Sequence, residues 1–323
     1  MSMDRLVTPY RELREATLAR DRGLRDKVMS LKEAAGLVHD GEHVAIGGCH
    51  TSRTPFAMIW ALIRARRKDL VVSRSITSTE GDLLFASGIT RHVITSWFTQ
   101  GIVWGVSKVM RHYTENKLAR FEEWSHMSIG LRYRAGAMGL PFLPSRSMLG
   151  SDVAKQVAGQ IQTMSCPFTG EELVLLPALN PDVALIHVQR CDCYGNAQID
   201  GLQFMDLDMA MAANRVILTT ERIVSNDQIR RMPDQTRIPF FAVEAVVEVP
   251  MGSAPHECYG LYEPFFPHLD AWAALSAKDP VKGPQQYLEA YYYEPGSWTD
   301  YLAKLGMADM LDACRRGRSV YND

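Results

Sequence analysis

The sequence lacks an excess of either charge and lacks any long apolar run, and each absence excludes a class of protein. Its 35 Lys and Arg side chains nearly balance 37 Asp and Glu side chains, which leaves a formal net charge of -2. A chain so close to neutral has no overall field to attract nucleic acid. No uninterrupted apolar stretch reaches the roughly 18 residues of a membrane span, and the mixed-charge first residues lack the apolar core of a secretory signal. We therefore expect a cytoplasmic protein that binds neither nucleic acid nor a membrane.

Cysteine is also scarce, with six residues in a chain of 323. So few cysteines do not make a disulfide scaffold in a chain of this length, and we expect reduced thiols. Cys191 and Cys193 lie in a Cys-Asp-Cys sequence. That sequence lacks the two-residue spacing of a zinc-binding pair, and no His or Cys pair at suitable spacing accompanies it. We therefore expect no metal site.

The sequence does contain a regular alternation of short apolar runs with helical patterns. Residues 30–38 have apolar positions at helical spacing, with Ser30 and Glu33 placed to form a capping box. His43–Ile46 has strand length and ends at two glycines, and a helix with Thr54 as its N-cap is predicted to follow. This is the beginning of a strand–helix–strand unit.

The alternation continues along the chain, and residues 183–188 form an apolar run without alternating polar positions, as expected of a strand covered on both faces. The pattern predicts an α/β fold with an open, mainly parallel sheet flanked by helices. We divide the chain into an N-terminal extension (1–25), a main domain (26–270) and a C-terminal helical and wrapping segment (271–323).

Ligands of such sheets bind at the carboxyl ends of the strands, so the loops that follow strands are the places to search for a site. The loop 47–55 contains Gly47, Gly48 and Cys49 and leads into a helix. Glycines allow close approach of a ligand, and unpaired N–H groups at a helix start can hold an anion or a developing oxyanion. The loop has neither dinucleotide nor P-loop spacing, so a tight turn without a ligand is the alternative.

A second loop, 73–82, carries several hydroxyl side chains before Glu80. A carboxylate in this position can act as a nucleophile toward an activated acyl group. The alternative, which we favour, is a residue of the first helical turn whose charge complements the helix dipole.

Further along the chain, Glu122, Glu123 and His126 are predicted near the start of a helix, and Arg146 follows a proline-rich segment. Arg146 can bind a carboxylate through its planar guanidinium. A solvated arginine and surface acidic caps explain the same residues, and the residue types alone leave both explanations open.

Five segments in collinear order carry a resemblance to a known family. They are DKVMSLKEAAGLVHDGEHVAIGG (26–48), GAMGLPFLPSRSMLGSD (136–152), PDVALIHVQRCDCYGNAQIDG (181–201), HECYGLY (256–262) and DYLAKLG (300–306). Together they resemble the alpha subunits of family I CoA-transferases, glutaconate CoA-transferase in particular. The resemblance extends over about residues 26–306, which is far more specific than a single motif.

The resemblance implies an open α/β fold and a partner beta subunit, in a heterodimer that assembles further. It implies coenzyme A as a substrate, no permanently bound cofactor, and a carboxylic acid as the second substrate. The catalytic glutamate of these enzymes lies on the beta chain, in a turn after a strand. Here the corresponding strand end reads VVSRSI, without a glutamate. The nucleophile is therefore expected on the partner, which attacks an acyl-CoA and carries CoA as a glutamyl thioester.

In that mechanism the backbone N–H groups of the 47–49 loop stabilise oxyanions, each donor contributing about 3–4 kcal/mol. We expect the following residues to contact the oxyanion or the substrate: Gly47, Gly48, Cys49, Ser78, Thr79, Glu80, Gln100 and Arg146.

Two other functions remain open. Related hydrolases that open a ring in steroid-derived CoA esters use a glutamate of the alpha-type chain shortly before an LPFLP stretch. A gap-free match here puts His126 at that position, and a shift of a few residues would put Glu123 there. Both are candidate catalytic groups of such a hydrolase, although we favour the interpretation of His126 as a structural histidine with its hydrogen bonds satisfied. The third possibility is a non-catalytic CoA-binding or assembly subunit.

Overall fold

The structure is a computed structural model that describes residues 7–101 and 103–318. Its strands alternate with helices over most of the chain, as the apolar pattern predicts. The strands are β1 (His43–Ile46), β2 (Leu70–Thr77), β3 (Thr90–Phe98), β4 (Arg120–Glu123), β5 (Phe142–Ser145), β6 (Gln162–Ser165), β7 (Glu172–Pro177), β8 (Val183–Val188), β9 (Arg190–Cys191), β10 (Ala197–Gln198), β11 (Arg215–Thr220), β12 (Thr236–Ile238) and β13 (Ala245–Glu248).

Helices precede or follow most of these strands. The α-helices are α1 (Tyr10–Ala19), α2 (Leu31–Gly36), α3 (Phe56–Arg64), α4 (Thr79–Ala86), α5 (Lys108–Glu115), α6 (His126–Ala137), α7 (Asp152–Gln156), α8 (Asp206–Ala212), α9 (Asn226–Arg231), α10 (Phe266–Lys278), α11 (Lys282–Leu288), α12 (Trp298–Leu305) and α13 (Met307–Arg318). A π-helical turn, Glu289–Tyr293, continues α11.

Within the described residues, seven strands form one sheet in the order β13-β11-β8-β1-β2-β3-β4. Every neighbouring pair is parallel; for example, Val44 of β1 is in register with Val72 of β2 and with Val183 of β8. Each residue of β8 is buried. The predicted α/β fold with a parallel sheet is confirmed, and the unbroken apolar run at 183–188 is explained by cover on both faces.

Two hydrophobic cores lie on opposite faces of this sheet. Val44 and Ile46 of β1 belong to one core, with α2, α3, α4 and the C-terminal helices, whereas Ala45 belongs to the other, with α6 and α8. Alternate side chains of a strand point to opposite faces, so one short strand supplies both cores. Ser30 and Glu33 form the predicted capping box of α2.

The structure corrects two local predictions, one at Glu122 and Glu123 and one at Thr54. Glu122 and Glu123 belong to strand β4 instead of a helix, which begins only at His126. The proline-rich stretch contains β5, which pairs antiparallel with β7 in a small separate sheet. The hydroxyl of Thr54 donates to the carbonyl of His50 at 3.2 Å instead of capping α3.

The C-terminal segment packs into the same core as α3 and α4. Helix α10 runs across the predicted boundary between residues 270 and 271, and its Trp272 joins the core formed with α3. The three-part division of the chain therefore stays a prediction, and residues 1–6 and 319–323 of its outer parts lie outside the described residues. No helix among the described residues has the length and apolar character needed to cross a bilayer.

Candidate active site at the carboxyl edge of the large sheet

Three loops meet at the carboxyl ends of β1, β2 and β3. The first loop follows β1 and leads into α3, the second is the short turn between β2 and α4, and the third lies between β3 and α5. The first loop joins β2 through the N–H of His50, which donates to the carbonyl of Ile76 at 3.1 Å. The third loop joins α4 through the amide of Gln100, which donates to Asp82 at 2.7 Å. Open parallel sheets bind ligands at this edge. We call the buried charged residues here the carboxyl-edge cluster: Arg53, Arg74, Glu80, Asp82 and Asp206.

Arg74 and Glu80 form a fully buried ion pair within this cluster. Glu80 is the second residue of α4 and also accepts the N–H of Ser78 at 2.8 Å. Arg74 donates to the hydroxyl of Thr54 at 2.8 Å, which ties β2 to the first loop. Glu80 is therefore a first-turn residue with a charged partner, as the favoured interpretation predicts, and it is not an accessible nucleophile in this chain.

Arg53 and Asp206 form a second fully buried ion pair, 2.5 Å between Nη1 and Oδ2. Asp206 accepts the N–H of Gly48 at 2.8 Å, and Arg53 donates to the carbonyl of Leu202 at 2.9 Å. Gly48 has a φ of +69°, and a Cβ added to it would lie 2.1 Å from the carbonyl oxygen of Ser52. The loop shape therefore requires glycine at this position and is fixed by a charge from α8.

The predicted oxyanion donors are already engaged inside the protein. The N–H of Gly47 donates to the carbonyl of Leu185 at 2.8 Å, that of Gly48 to Asp206, and that of Cys49 to the carbonyl of Ser52 at 3.1 Å. An oxyanion would have to replace one of these bonds, so the role of these three residues stays a prediction. Burial raises the pKa of the Cys49 thiol, which keeps it neutral.

Several buried polar atoms at this edge have no hydrogen-bond partner among the described residues. They are the Nε2 atoms of His50 and His256, the hydroxyls of Thr77 and Ser78, and Oε2 of Glu80. Burial lowers the pKa of both histidines, so both imidazoles are neutral near pH 7. Leaving a buried polar atom unpaired costs about 1–3 kcal/mol. A bound group that supplied these partners would be favoured here.

Asp82 links α4 to the third loop. It accepts hydrogen bonds from the amide of Gln100, at 2.7 Å, and from the hydroxyl of Ser107. Burial raises the pKa of Asp82 to about 7. Gln100, predicted as a substrate contact, thus uses its amide N–H to hold a buried carboxyl group.

The remaining predicted residues are separated by the fold. Ser78 and Thr79 lie in the site, at the start of α4. His126 is exposed at the start of α6, with Nδ1 3.1 Å from the hydroxyl of Ser96, and Glu123 ends β4. Arg146 is exposed and pairs with Glu171 at 2.9 Å. Among the described residues, no hydrogen bond or ion pair joins Glu123, His126 or Arg146 to the carboxyl-edge cluster.

The sequence reasoning missed four members of the site: Arg53, Arg74, Asp206 and His256. Arg74 does carry a signal, because an arginine inside a buried apolar strand needs a buried anion. The Arg53–Asp206 pair carries none, because 153 residues separate its members. His256 approaches Thr54 at 2.8 Å from a loop that is also far away in the sequence.

Large apolar side chains are exposed beside these loops. Trp97 near the end of β3 is 61% exposed, Val103 in the third loop 78% and Leu202 beside Arg53 72%. Large exposed apolar surface of this kind marks interaction sites on soluble proteins. The loops at the carboxyl edge therefore present exposed apolar side chains next to the buried charges.

A second buried cluster brings together His187, Glu221 and Cys258, whose potential ligand atoms lie within 4.8 Å of one another. Both ring nitrogens of His187 are already hydrogen-bonded, one to Thr219 at 2.9 Å and the other to Glu221 at 2.8 Å. Glu221 also accepts the hydroxyl of Tyr262 and two backbone N–H groups. The cluster is thus satisfied by protein donors, and a structural network accounts for it.

Comparisons with known proteins agree on one family. A family model described as coenzyme A transferase matches residues 28–249. An uncharacterized protein of Archaeoglobus fulgidus is 37% identical over 92% of this chain, which spans 66% of that protein's length. The A-type subunit of glutaconate CoA-transferase from Acidaminococcus fermentans is 33% identical, over 88% of this chain and 94% of its own.

Two further comparisons concern the fold and the alternative activity. The crystal structure of glutaconate CoA-transferase from A. fermentans superimposes with a TM-score of 0.84 at 32% identity, covering 89% of this chain and 95% of that chain. The cholesterol ring-cleaving hydrolase IpdA subunit of Rhodococcus jostii is 32% identical, over 86% of this chain and 95% of its own.

Proposed function

Because this chain belongs to the coenzyme A transferase family, we propose that it is the alpha subunit of a heteromeric CoA-transferase. Its partner is a beta subunit, and its substrates are an acyl-CoA and a carboxylic acid, a dicarboxylic one being the first to test, as in the glutaconate enzyme. Coenzyme A is a substrate, and no other cofactor is required. The six free cysteines are consistent with a reducing compartment, and we assign the complex to the cytoplasm.

One observation carries this proposal: the ion-paired carboxylates at the carboxyl edge are buried. Glu80 is paired with Arg74, and Asp206 is paired with Arg53. A carboxylate held in this way cannot reach a thioester without breaking its ion pair, which costs several kcal/mol. The described part of the site therefore has polar groups and exposed apolar neighbours but no available nucleophile. A beta subunit that docks on this edge would supply a glutamate.

The reaction proceeds in balanced steps. The glutamate oxygen attacks the thioester carbonyl and CoA leaves as a thiolate, which gives a mixed anhydride. The thiolate then attacks the glutamyl carbonyl and releases the donor acid as a carboxylate. The acceptor carboxylate attacks this glutamyl thioester and CoA leaves as a thiolate, which gives a second mixed anhydride. The thiolate then attacks the acyl carbonyl of the acceptor, which forms the new acyl-CoA and frees the glutamate.

In these steps the alpha subunit binds and orients the substrates. We assign the neutral imidazole of His50 and the hydroxyl of Ser78 to the acyl oxygen, since each has a buried polar atom without a hydrogen-bond partner in the described part of the chain. Thr79 and the N-terminus of α4 lie beside them and favour negative charge. The amides of Gly47, Gly48 and Cys49 remain candidate oxyanion donors if the loop opens on substrate binding, and Arg146 a candidate contact for the acid.

The test is a covalent trap. We expect the isolated chain to be inactive, and the complex with its companion chain to accumulate a thioester when it is incubated with acyl-CoA alone. Hydroxylamine treatment and mass spectrometry then place the modified glutamate on the companion. Full activity of the isolated chain would refute the proposal.

The same trap tests the site. In the complex, His50→Ala is expected to slow adduct formation on the order of 100-fold, the effect of losing one oxyanion donor. His39→Ala, an exposed histidine in the turn that precedes β1, serves as the matched control and should react at the parent rate. Equal rates of adduct formation in the two variants would show that His50 does not contribute to the site.

The ring-opening hydrolase is the second candidate, favoured by the 32% identity to the Rhodococcus IpdA subunit. His126 is the accessible group for that chemistry, because it is exposed and its ring approaches only a serine hydroxyl among the described side chains. Absence of an adduct on either chain, together with loss of hydrolysis in Glu123→Gln or His126→Ala, would support it. An assembly subunit without a site predicts that none of these variants changes turnover.

A further inference from the structure

The hydroxyl of Thr54 lies at the carboxyl edge and contacts three groups from different parts of the chain. Its oxygen is 2.8 Å from Nη2 of Arg74, 2.8 Å from Nδ1 of His256 and 3.2 Å from the carbonyl oxygen of His50. Thr54, Arg74 and His256 are completely buried. The transferase steps described above use none of these three side chains.

The three contacts determine where the hydrogens lie. A hydroxyl has one hydrogen to donate and two lone pairs that accept, a guanidinium only donates, and a carbonyl only accepts. Thr54 therefore accepts a hydrogen bond from Arg74 and donates its one hydrogen to the carbonyl of His50. All three bonds form together only when Nδ1 of His256 carries a hydrogen and donates it to Thr54.

The other nitrogen of His256 is then an acceptor. Burial holds the pKa of His256 well below its ordinary value, so the ring is neutral near pH 7. A neutral imidazole has one N–H, and a hydrogen on Nδ1 leaves Nε2 with a lone pair. Nε2 is buried without a hydrogen-bond partner among the described residues. The ring itself is held edge-on against Phe56, with centroids 4.7 Å apart.

The backbone brings His256 to Thr54 and fixes both residues. The N–H of Arg53 donates to the carbonyl of Glu257 at 2.9 Å, and the N–H of Glu257 donates to the carbonyl of Thr51 at 2.9 Å. Thr54 precedes a proline and is branched at Cβ, and both features restrict its conformation. The hydroxyl is therefore preorganised for its three partners.

Through Thr54, these bonds reach both residues that we assign to the acyl oxygen. On one side the hydroxyl binds the backbone of His50 directly. On the other side Arg74 is ion-paired with Glu80, and Glu80 accepts the N–H of Ser78 at 2.8 Å. Without the hydroxyl, the first loop and the start of α4 would lose the bonds that fix them relative to each other.

We propose that Thr54 is a positioning residue which, together with the Nδ1–H form of His256, holds His50 and Ser78 in the arrangement that binds the acyl oxygen. This inference rests on the proposed function, because the two held residues are assigned to the transferase reaction. Thr54 acts through its neighbours, since its own side chain is completely buried.

The first test separates the hydroxyl from the shape of the side chain. Thr54→Val keeps the branched shape and removes the hydroxyl, whereas Thr54→Ser keeps the hydroxyl. Thr90→Val is the matched control. Thr90 is also completely buried, and its hydroxyl donates to the carbonyl of Leu70 at 2.6 Å, but it lies at the beginning of β3, at the opposite edge of the sheet.

The rates are measured in the complex with the companion chain. We expect Thr54→Val to slow thioester formation at saturating acyl-CoA by roughly tenfold or more, the factor for one hydrogen bond to a charged group. The half-saturating concentration of acyl-CoA should change less, because Thr54 does not contact the substrate. Thr54→Ser should recover most of the rate, and Thr90→Val should react at the parent rate. Equal rates in Thr54→Val and Thr90→Val would overturn the proposal.

The second test is independent of turnover. NMR of the complex, with isotopically labelled histidine in this chain only, distinguishes the two neutral forms of an imidazole, and His256→Asn identifies the signals of His256. We expect the Nδ1–H form in the parent and in Thr54→Ser, and a loss of this preference in Thr54→Val. An Nε2–H form in the parent would overturn the proposal, because Thr54 would then give its hydrogen to His256 and lose the bond to His50.

Together the two tests separate this inference from the proposed function. Absence of a thioester in the parent complex would refute the transferase function, and the NMR spectra would still decide whether Thr54 holds His256. If Thr54→Val fails to assemble, His256→Leu removes the donor and His256→Asn keeps an N–H near the position of Nδ1. We expect the leucine variant to form the thioester more slowly than the asparagine variant. Equal rates in these two variants would overturn the proposal.

Discussion

Two regions of this protein are equally buried and are built in opposite ways. The carboxyl-edge cluster places five charged side chains in the interior. The C-terminal region instead has a ring cluster, which we define as Trp272, Tyr287, Tyr292, Trp298 and Tyr301, and these side chains are also almost completely buried. In the first region stability depends on a partner for each charge, and in the second it depends on packed area.

The ring cluster tolerates imperfect hydrogen bonding. Tyr287 and Tyr291 stack with centroids 4.6 Å apart, as do Trp298 and Tyr301, yet the hydroxyl of Tyr292 is buried without a partner among the described residues. Burial of the ring surface stabilises the folded state whether or not the hydroxyl has a hydrogen-bond partner. A buried arginine or carboxylate has no such compensation, so the comparison predicts very different responses to the loss of one polar group.

The largest effect is expected from breaking a buried ion pair. Arg53→Met leaves Asp206 charged and uncompensated, so the free energy of unfolding should fall by about 3–5 kcal/mol. The double variant Arg53→Met, Asp206→Asn should recover more than half of this loss, because Asn still accepts the N–H of Gly48. Urea-induced unfolding measures the free energy of unfolding of the single and of the double variant.

Arg146→Met is the control for this prediction, since Arg146 is paired with Glu171 at the surface. Its cost should stay below about 1 kcal/mol. If Arg53→Met and Arg146→Met lower the free energy of unfolding by the same amount, the fold does not depend more on the buried charges of the carboxyl edge than on surface charges. That result would contradict the comparison.

A smaller effect is expected from the pH dependence of Asp82. Burial raises its pKa to about 7 in the folded protein, above the ordinary aspartate value near 4. The unfolded chain therefore releases this proton at lower pH than the folded protein does. The stability contributed by the protonated group is complete below about pH 4 and is lost as the pH rises to about 7, on the order of 4 kcal/mol at most.

Asp82→Asn should remove this loss, so the difference in unfolding free energy between the variant and the parent should shift in favour of the variant as the pH rises from 4 to 8. Chemical denaturation at several pH values measures the difference. Two parallel stability curves over this range would show that Asp82 titrates at its ordinary pKa.

The smallest effects are expected in the ring cluster. Tyr292→Phe removes a hydroxyl that has no partner within residues 7–101 and 103–318, and it should leave the free energy of unfolding unchanged or slightly raised. Tyr287→Phe removes a hydrogen bond to His268, 2.6 Å long, and should lower it by about 1 kcal/mol. The two substitutions delete the same atom in one cluster, so thermal unfolding of the pair measures what the hydrogen-bonded hydroxyl of Tyr287 contributes. A cost for Tyr292→Phe equal to that of Tyr287→Phe would contradict the comparison.

Most strands of the large sheet were predictable because their signal is local. Val183–Val188 has no polar position except His187, and His43–Ile46 is bounded by a turn and two glycines. The capping box of Ser30 and Glu33 depends on residues three apart. The strand around Glu122 was missed, because its parallel neighbour β3 supplies the pairing and the local sequence resembles a helix start.

The candidate site was predictable in outline and unpredictable in its contacts. The glycine loop and the start of α4 follow strands, so general rules for parallel sheets directed attention to them. Nothing near Gly48 in the sequence indicates that its N–H donates to Asp206. Likewise, nothing near Gln100 indicates that its amide is held by Asp82.

By itself, the sequence determined most of the strands and helices, which loops occupy the functional edge, and which family the chain resembles, since these depend on patterns that can be read along the chain. Only the tertiary structure decided which charges pair, which amides are occupied and which imidazole nitrogens lack a partner among the described residues. Those outcomes depend on distances of a few ångströms between residues that are far apart in sequence, and burial makes each of them costly to change.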